Sequence, residues 1–175
     1  TKSDKLSVLF SFKNEEKNII KLVKRTTATC NICLKEKLIA EYEIIFVDDA
    51  SEDRSNLILN ELRLTNPRIQ IHKTTRSFGN AECLRYAIKE SCGDIICYLD
   101  ADLQDPPELI PELIKKYEEG NDIVHTKRTK RLGESKIKLL LTRLAYLVIH
   151  YFSDINLPIE AGDYKLISRR AMDNI

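Results

Sequence analysis

Short apolar runs alternate along the chain with stretches whose apolar residues recur at helical spacing. Five runs have the length and composition of strands, at residues 6–12, 42–47, 69–71, 95–99 and 122–126. The stretches between them predict helices, and the first of these carries a stripe of Ile19, Val23 and Cys30. This β-α-β-α-β-α-β-α-β order predicts an α/β fold with a mostly parallel central sheet and helices on both faces.

Capping residues and a glycine predict where three helices begin or end. Asn14 is a good N-cap for the first helix, with Glu15 in its first turn. Asp105 and Glu108 have the spacing of a capping box at a helix predicted for residues 106–119. Gly93 follows the third helical stretch, and we expect it to be the C′ residue there.

The chain becomes strongly basic after Thr126. Residues 127–143 contain seven basic residues and one acidic residue, and the whole segment 127–152 is basic and amphipathic. Such a segment is typical of a helix on a membrane surface, and equally of a helix that covers the edge of a sheet. Further on, residues 161–166 predict a short extended piece, and Ser168 is expected to open the last helix.

Composition narrows the classes of function. The 175 residues suit a single domain over residues 1–175, and the net charge of +1 gives no global field that would favour nucleic acid. Five scattered cysteines and no signal pattern favour a reducing, cytosolic compartment, and the lone pair Cys30 and Cys33 fits one face of a helix. No run of 18 apolar residues occurs. The chain begins without Met and ends within a helical pattern, so we expect a piece of a longer protein.

The most informative polar segment follows the fourth apolar run. Asp100, Asp102 and Gln104 occupy alternate positions, so in an extended segment they would face the same side. Mg²⁺ and Mn²⁺ accept carboxylate and amide oxygens, together with water and substrate phosphates. The segment therefore predicts a divalent cation that holds a nucleotide diphosphate, with a solvated turn capped by Asp residues as the alternative.

Polar residues also follow the first two runs. Asn14 and Glu15 come after the first run, and Asp48 and Asp49 after the second. Because the carboxyl ends of parallel strands meet at one edge of a sheet, we expect these groups to converge with the later carboxylates. The usual dinucleotide loop, G-x-G-x-x-G, does not follow the first strand. The convergence predicts a nucleotide site of another kind.

Motifs across nearly the whole chain resemble those of family 2 glycosyltransferases, which have the GT-A (Rossmann-like) fold. More narrowly, the chain is similar to the group that contains dolichol-phosphate mannose synthases and bactoprenol glucosyltransferases. The resemblance lies in residues 14–16 (Asn-Glu-Glu), 46–51 (Phe-Val-Asp-Asp-Ala-Ser), 76–79 (Arg-Ser-Phe-Gly), 99–108 (Leu-Asp-Ala-Asp-Leu-Gln-Asp-Pro-Pro-Glu), Arg128 and 161–166 (Ala-Gly-Asp-Tyr-Lys-Leu).

The resemblance implies an activity and a place in the cell. Members of this group transfer one sugar from a UDP- or GDP-linked donor to a polyprenyl phosphate at the cytoplasmic face of the membrane, usually with inversion. Bactoprenol-type relatives also carry C-terminal membrane helices, which we expect to be missing here. Phe12-Lys13 stand where many relatives have Pro-Tyr, and Ser77 stands where they often have Asn, which leaves the nucleobase open.

The resemblance also implies roles for individual residues. The nucleotide-binding set would be Phe12, Asn14, Glu15, Asp48, Asp100 and Ala101. The ligands of Mg²⁺ or Mn²⁺ would be Asp100, Asp102 and Gln104. Arg76 and Arg131 would meet phosphate charge of the donor or the acceptor. The catalytic set would be Asp102, Arg128 and Asp163, with Asp163 near the acceptor.

Charge bears on the choice of acceptor. A phosphate acceptor is ionised near neutral pH and needs cations rather than a strong base, and the segment 127–152 supplies cations. A sugar hydroxyl would need a carboxylate base, for which Asp163 is the late candidate. The sequence therefore favours a phosphate acceptor over a sugar hydroxyl. A soluble transferase that extends a cell-surface glycan and a non-catalytic nucleotide-sugar-binding module are the alternatives.

A phospho-acceptor receiver domain, which also pairs Asp residues after one strand, fits less well. In this chain the Asp pair follows the second predicted strand and not the first, and no isolated late strand is predicted to end in a Lys residue.

Overall fold

A computed structural model of the chain describes residues 4–127 and 161–174. The elements follow in the order β1 (Lys5–Phe12), α1 (Ile19–Lys35), β2 (Glu41–Asp48), α2 (Ser55–Thr65), β3 (Ile69–Lys73), α3 (Asn80–Glu90), β4 (Ile95–Tyr98), a 3-10 turn (Pro107–Leu109), α4 (Ile110–Glu118), β5 (Ile123–Lys127), β6 (Ala161–Ser168) and α5 (Arg169–Met172). The predicted alternation of strands and helices is confirmed. Apart from Lys127, the basic segment 127–152 lies outside the described residues.

Six strands form one sheet in the order β3-β2-β1-β4-β6-β5. β1 pairs in parallel with β2 and β4, and β2 pairs in parallel with β3. β6 is antiparallel to both of its neighbours, β4 and β5. The prediction of a mostly parallel sheet is confirmed. The short piece expected at residues 161–166 is instead a full strand that continues to Ser168 and separates β4 from β5.

Alternation along β1 builds a core on each face of the sheet. Val8 and Phe10 pack into a cluster that also contains Leu22 of α1, while Leu9 packs with Ala87 of α3 on the opposite face. Burial of an aliphatic or aromatic side chain of this size stabilises a fold by roughly 1.5–3 kcal/mol. Helices therefore cover both faces, as predicted, and leave the carboxyl ends of β1, β2 and β4 at a common edge.

The pair Cys30 and Cys33 belongs to this packing. Both side chains are buried in α1, and burial raises the pKa of each thiol. The structural interpretation of this pair is confirmed.

Two predicted N-caps are wrong. α1 begins at Ile19 rather than directly after Asn14, whose side-chain oxygen instead accepts the N–H of Glu52 at 2.9 Å. No side chain caps the 3-10 turn or α4, so Asp105 is not an N-cap. Glu108, predicted to complete a capping box there, instead accepts two hydrogen bonds from the guanidinium of Arg25, at 2.7 and 2.6 Å.

Gly93 has a different role from the predicted one. α3 ends at Glu90 with Ser91 extended, and Gly93 is not in the left-handed region. A Cβ atom on Gly93 would lie 2.4 Å from Ser7 Oγ and 2.6 Å from Ser7 N. A glycine is therefore required because the segment before β4 approaches β1 too closely for a side chain.

A buried carboxylate joins the strands near the edge where β1 and β4 begin. Glu43 of β2 is 4% exposed and accepts hydrogen bonds from Ser7 Oγ at 2.6 Å, Cys92 N at 2.8 Å and Gln70 Nε2 at 3.0 Å. Lys5 Nζ lies 3.3 Å from the same carboxylate. Burial raises the pKa of Glu43, but the hydrogen bonds from Ser7 and Cys92 and the charge of Lys5 outweigh it, so the pKa is lowered.

Glu43→Gln is expected to make folding less sensitive to acid. The contribution of Glu43 is present above the unfolded-state pKa near 4.5 and is lost as pH falls through the lower folded-state pKa. Urea unfolding should show a free energy of unfolding lower by about 1–3 kcal/mol at pH 7, with a shallower loss on acidification. Glu41→Gln, at an exposed site on the same strand, is the matched control. Identical acid profiles for wild type and the Glu43 variant would contradict this role.

Candidate active site

Each of three parallel strands is followed by a turn that holds a non-glycine residue at positive φ. These residues are Asn14 at 58° after β1, Ala50 at 56° after β2 and Leu103 at 65° after β4. The left-handed conformation costs an ordinary residue about 1–2 kcal/mol, and such strain concentrates at functional sites. In the described part of the chain, three of the four non-glycine residues at positive φ therefore lie at the edge where the polar residues were predicted to converge, and the fourth, Lys37, follows α1.

A cavity of about 240 Å³ opens at this edge, beside the ends of β1 and β4 and the start of α3. Its lining consists of Ser11, Phe12, Lys13, Glu15, Asp49, Asn80, Asp100, Ala101 and Asp102. Five of the predicted site residues thus share one cavity: Phe12, Glu15, Asp100, Ala101 and Asp102.

The cavity carries an excess of negative charge. Glu15, Asp49, Asp100 and Asp102 contribute four carboxylates to its lining, and Lys13 contributes one cation. A diphosphate placed there would be repelled unless positive charge came with it. The carboxylates that line the cavity therefore fit a divalent cation that is bound together with an anionic ligand.

The turn after β4 presents two carboxylates for such a cation. Asp102 Oδ1 accepts the backbone N–H of Gln104 at 2.9 Å, which tightens the turn, while the Gln104 side chain is exposed and does not line the cavity. Within residues 4–127 and 161–174, no three His, Cys, Asp or Glu side chains form a ligand cluster. Mg²⁺ and its substitutes commonly take one or two carboxylates and complete their shell with water and phosphate. Asp100 and Asp102 fit that requirement, and Gln104 is placed away from it.

Asp49 connects the cavity to the loop before α3. Its carboxylate accepts hydrogen bonds from Ser77 Oγ at 2.7 Å, Phe78 N at 2.7 Å and Gly79 N at 3.1 Å. Burial raises the pKa of Asp49, but these three hydrogen bonds outweigh it and lower the pKa. Gly79 has a φ of 89°, which allows the chain to turn into the helix at Asn80.

The amide of Asn80 links three elements beneath the cavity. It forms hydrogen bonds with Ser11 of β1 and with the hydroxyl of Tyr98 on β4. The hydroxyl of Tyr98 in turn lies 3.3 Å from Asp100 Oδ1. Burial, together with the nearby charge of Asp100, raises the pKa of Tyr98 to about 12.

Several predicted site residues lie outside the cavity. Asp48 is fully buried and accepts hydrogen bonds from Ser51 N at 2.7 Å and Asn56 Nδ2 at 3.1 Å. Asn14 holds the turn after β2 through Glu52. The guanidinium of Arg76 lies 4.9 Å from the ring centre of Phe78 and does not line the cavity.

The remaining candidates come from the later part of the chain. Arg128 and Arg131 lie outside the described residues. Asp163 belongs to β6. Because Tyr98 at the end of β4 pairs with Lys165, the start of β6 lies at the same edge of the sheet as the cavity.

Sequence reasoning assigned no role to three residues that line the cavity: Ser11, Lys13 and Asn80. Asp49 was expected at this edge together with Asp48, but of the two only Asp48 was assigned to the nucleotide. Gly79 allows the turn that leads into α3, but it does not indicate which side chain reaches the cavity, so the sequence carried no signal for Asn80.

Solved structures with this architecture identify the fold as GT-A. A mannosyltransferase from Pyrobaculum calidifontis, solved with GDP-Man and Mn²⁺, matches 99% of this chain and 47% of its own at a TM-score of 0.68 and 19% identity. Glucosyl-3-phosphoglycerate synthase from Mycobacterium tuberculosis, solved with UDP, matches 95% of this chain and 57% of its own at a TM-score of 0.64 and 20% identity. At these identities the likeness concerns the fold alone.

The chain belongs to glycosyl transferase family 2, whose family model matches residues 7–175. It is 41% identical over 134 residues to the uncharacterised glycosyltransferase YkcC of Bacillus subtilis (strain 168), a match that covers 77% of this chain and 42% of the relative. It is 35% identical over 135 residues to the prophage bactoprenol glucosyl transferase homologue of Escherichia coli (strain K12), covering 77% of this chain and 44% of the relative. The chain spans about half the length of the curated relatives it matches.

In the part of the chain that the structure describes, no helix combines the length and the apolar character needed to cross a membrane.

Asp49→Asn is expected to release the loop at residues 77–79. The asparagine side chain would place its NH₂ group among the three donors that now face the carboxylate. Each lost hydrogen bond to a charged acceptor removes roughly 1.5–3 kcal/mol of stabilisation. Amide hydrogen exchange at Phe78 and Gly79 should therefore become faster by about tenfold or more. Asp53→Asn removes another carboxylate that accepts backbone N–H groups and should leave these two amides unchanged. Wild-type exchange rates in the Asp49 variant would contradict the role.

Proposed function

We propose that this chain is the catalytic domain of a transferase that moves a sugar from a nucleotide-diphosphate sugar to a polyprenyl phosphate, at the cytoplasmic face of a membrane. The observation that carries the proposal is the convergence of Asp100 and Asp102 with Phe12 and Glu15 in one cavity. Relatives named as bactoprenol glucosyl transferases support the lipid acceptor, and a fold neighbour solved with GDP-Man and Mn²⁺ supports the donor class and the metal.

The donor would lie with its diphosphate beside the turn after β4. Asp100 and Asp102 would hold Mg²⁺ or Mn²⁺, which when bound supplies positive charge next to the leaving diphosphate. Phe12 and Glu15 would contact the nucleoside. Asn14 and Asp48 would act indirectly, because both hold the turn after β2 in place.

The chemistry would be a single displacement. A phosphate oxygen of the acceptor forms a bond to the anomeric carbon of the sugar while the bond from that carbon to the nucleoside diphosphate breaks, so the configuration inverts. The acceptor phosphate is already ionised, and no base is needed to remove a proton from it. Arg128 and Arg131 would offset its charge.

A hydroxyl acceptor on a growing glycan is the second candidate. The start of β6 lies at the cavity edge, which brings the position of Asp163 to the correct end of the sheet for a base. A hydroxyl loses its proton during transfer, so this reaction would depend on that carboxylate.

Asp102→Asn is expected to remove metal-dependent donor binding and leave the fold intact. The substitution keeps the side-chain size and an oxygen acceptor but removes one of the two negative charges offered to the cation. Calorimetric titration with UDP and with GDP should show that the gain in affinity on adding Mn²⁺ falls by about tenfold or more. The exposed Asp173→Asn at the opposite edge is the control. If Mn²⁺ raised nucleotide affinity as much in this variant as in wild type, Asp102 would not be a ligand of the metal.

Arg128→Ala is expected to separate acceptor chemistry from donor binding. Loss of a cation that faces the acceptor phosphate should reduce transfer of labelled sugar to polyprenyl phosphate in detergent micelles by about 100-fold. Donor affinity should stay within twofold, and Arg170→Ala is the control for a lost exposed charge.

The acceptor class follows from the companion variant Asp163→Asn. A phosphate acceptor predicts little loss of activity in this variant. Abolished transfer in Asp163→Asn would favour the hydroxyl acceptor. For Arg128→Ala, equal losses of donor binding and of transfer would place Arg128 in the donor site.

A further inference from the structure

A line of hydrogen bonds runs beneath the cavity from β1 to Asp100. Ser11 Oγ donates to Asn80 Oδ1, and Asn80 Nδ2 donates to the hydroxyl of Tyr98 at 2.7 Å. The Tyr98 hydroxyl then donates to Asp100 Oδ1 at 3.3 Å. The four groups come from β1, the first residue of α3, β4 and the turn after β4. Four separate segments of the chain are thereby joined behind one carboxylate.

The direction of this line follows from the chemistry of its last member. An ionised carboxylate only accepts hydrogen bonds, so the Tyr98 hydroxyl must be the donor to Asp100. The oxygen of Tyr98 is then an acceptor, which requires the NH₂ group of Asn80 to face it. The amide oxygen of Asn80 is left facing Ser11, whose hydroxyl donates. A charged Asp100 thus fixes the direction of the hydrogen bonds that Tyr98 and Asn80 make, while the Ser11 hydroxyl can donate to Asn80 or to Tyr98.

We propose that Tyr98 is a positioning residue, whose hydroxyl holds Asp100 in the orientation that binds the cation. This inference rests on the proposed function. Tyr98 is 5% exposed and does not line the cavity, so it acts on a ligand only through Asp100. Its hydrogen bond to Oδ1 restricts the rotation of that carboxylate at the cavity wall.

The charge in the cavity explains why Asp100 needs a fixed partner. Glu15, Asp49 and Asp102 line the same cavity, and their repulsion would favour side-chain orientations that turn Asp100 away. A hydrogen-bond donor behind the carboxylate opposes that rotation. Partners of this kind, which orient a ligand without touching the metal, typically change metal affinity or activity by about 10–100-fold when removed.

The same line also connects Asp100 to the loop before α3. Asn80 follows Gly79 directly, and the N–H of Gly79 donates to Asp49. Asp49 and Asp100 are thus held by one continuous set of contacts through the start of α3. We expect the orientation of Asp100 to depend on both ends of this set.

The test is the Mn²⁺ requirement of nucleotide binding in Tyr98→Phe, which removes the hydroxyl and keeps the ring. Calorimetric titrations with UDP and with GDP over a series of Mn²⁺ concentrations should show half-maximal enhancement at about tenfold more Mn²⁺ than in wild type. Nucleotide affinity in the absence of metal should not change, which a merely structural role would not predict. Tyr42→Phe is the matched control, because it removes a buried tyrosine hydroxyl that donates at 3.0 Å to Asn31, outside the cavity.

The outcomes separate the two proposals. If wild type binds neither nucleotide more tightly with Mn²⁺, the proposed function fails and this inference fails with it. If wild type does so and Tyr98→Phe has the same Mn²⁺ requirement, the positioning role is overturned while the function stands. Equal losses with and without Mn²⁺ would also overturn it, because they would indicate general damage to the cavity.

Ser11→Ala provides a second route if the Tyr98 variant does not fold. It removes the first donor of the line and frees the Asn80 amide to turn, so the Mn²⁺ requirement should rise in the same direction but by less. An unchanged requirement in a folded Ser11→Ala protein would then overturn the inference.

Discussion

Electrostatic repulsion among four carboxylates around one cavity is the constraint on which the site depends. Each carboxylate has a donor from the protein: Asn18 Nδ2 for Glu15, the loop 77–79 for Asp49, Tyr98 for Asp100 and Gln104 N for Asp102. These donors keep the side chains in place but do not cancel their charge. The remaining negative field would attract a cation, and a bound cation would in turn make the cavity suitable for an anionic diphosphate.

The order of the strands in the sheet brings the four carboxylates to one edge. Parallel pairing of β1 with β2 and β4 aligns three strand ends, and the turns beyond them carry the polar residues. Glu43 and Gly93 secure the strands near the opposite edge, one through buried hydrogen bonds and the other through the absence of a side chain. The antiparallel strand β6 begins at the cavity edge beside β4 and ends at the opposite edge, where Ser168 pairs with Ile95.

Much of this arrangement could be predicted from the sequence. The apolar runs predicted the strands, and the spacing of Asp100 and Asp102 predicted that both would face one site. Local pattern did not indicate which of the adjacent residues Asp48 and Asp49 faces the cavity, because that depends on how the strand ends. Asp48 is the last residue of β2 and is fully buried beneath the turn, while Asp49 begins the turn and lines the cavity. The positive φ angles of Ala50 and Leu103 also had no local signal, since neither residue type favours that conformation. The hydrogen-bond line through Tyr98 joins residues up to 89 positions apart, from Ser11 to Asp100, and so follows only from the fold.

The most direct test of the central claim is calorimetric binding of UDP and GDP to the wild-type chain, each with and without Mn²⁺. A metal-dependent nucleotide site predicts that one of the two binds with an affinity that rises when Mn²⁺ is added, and the preferred nucleotide then identifies the donor class. Binding of neither nucleotide, or binding that is indifferent to Mn²⁺, would contradict the account of the four-carboxylate cavity.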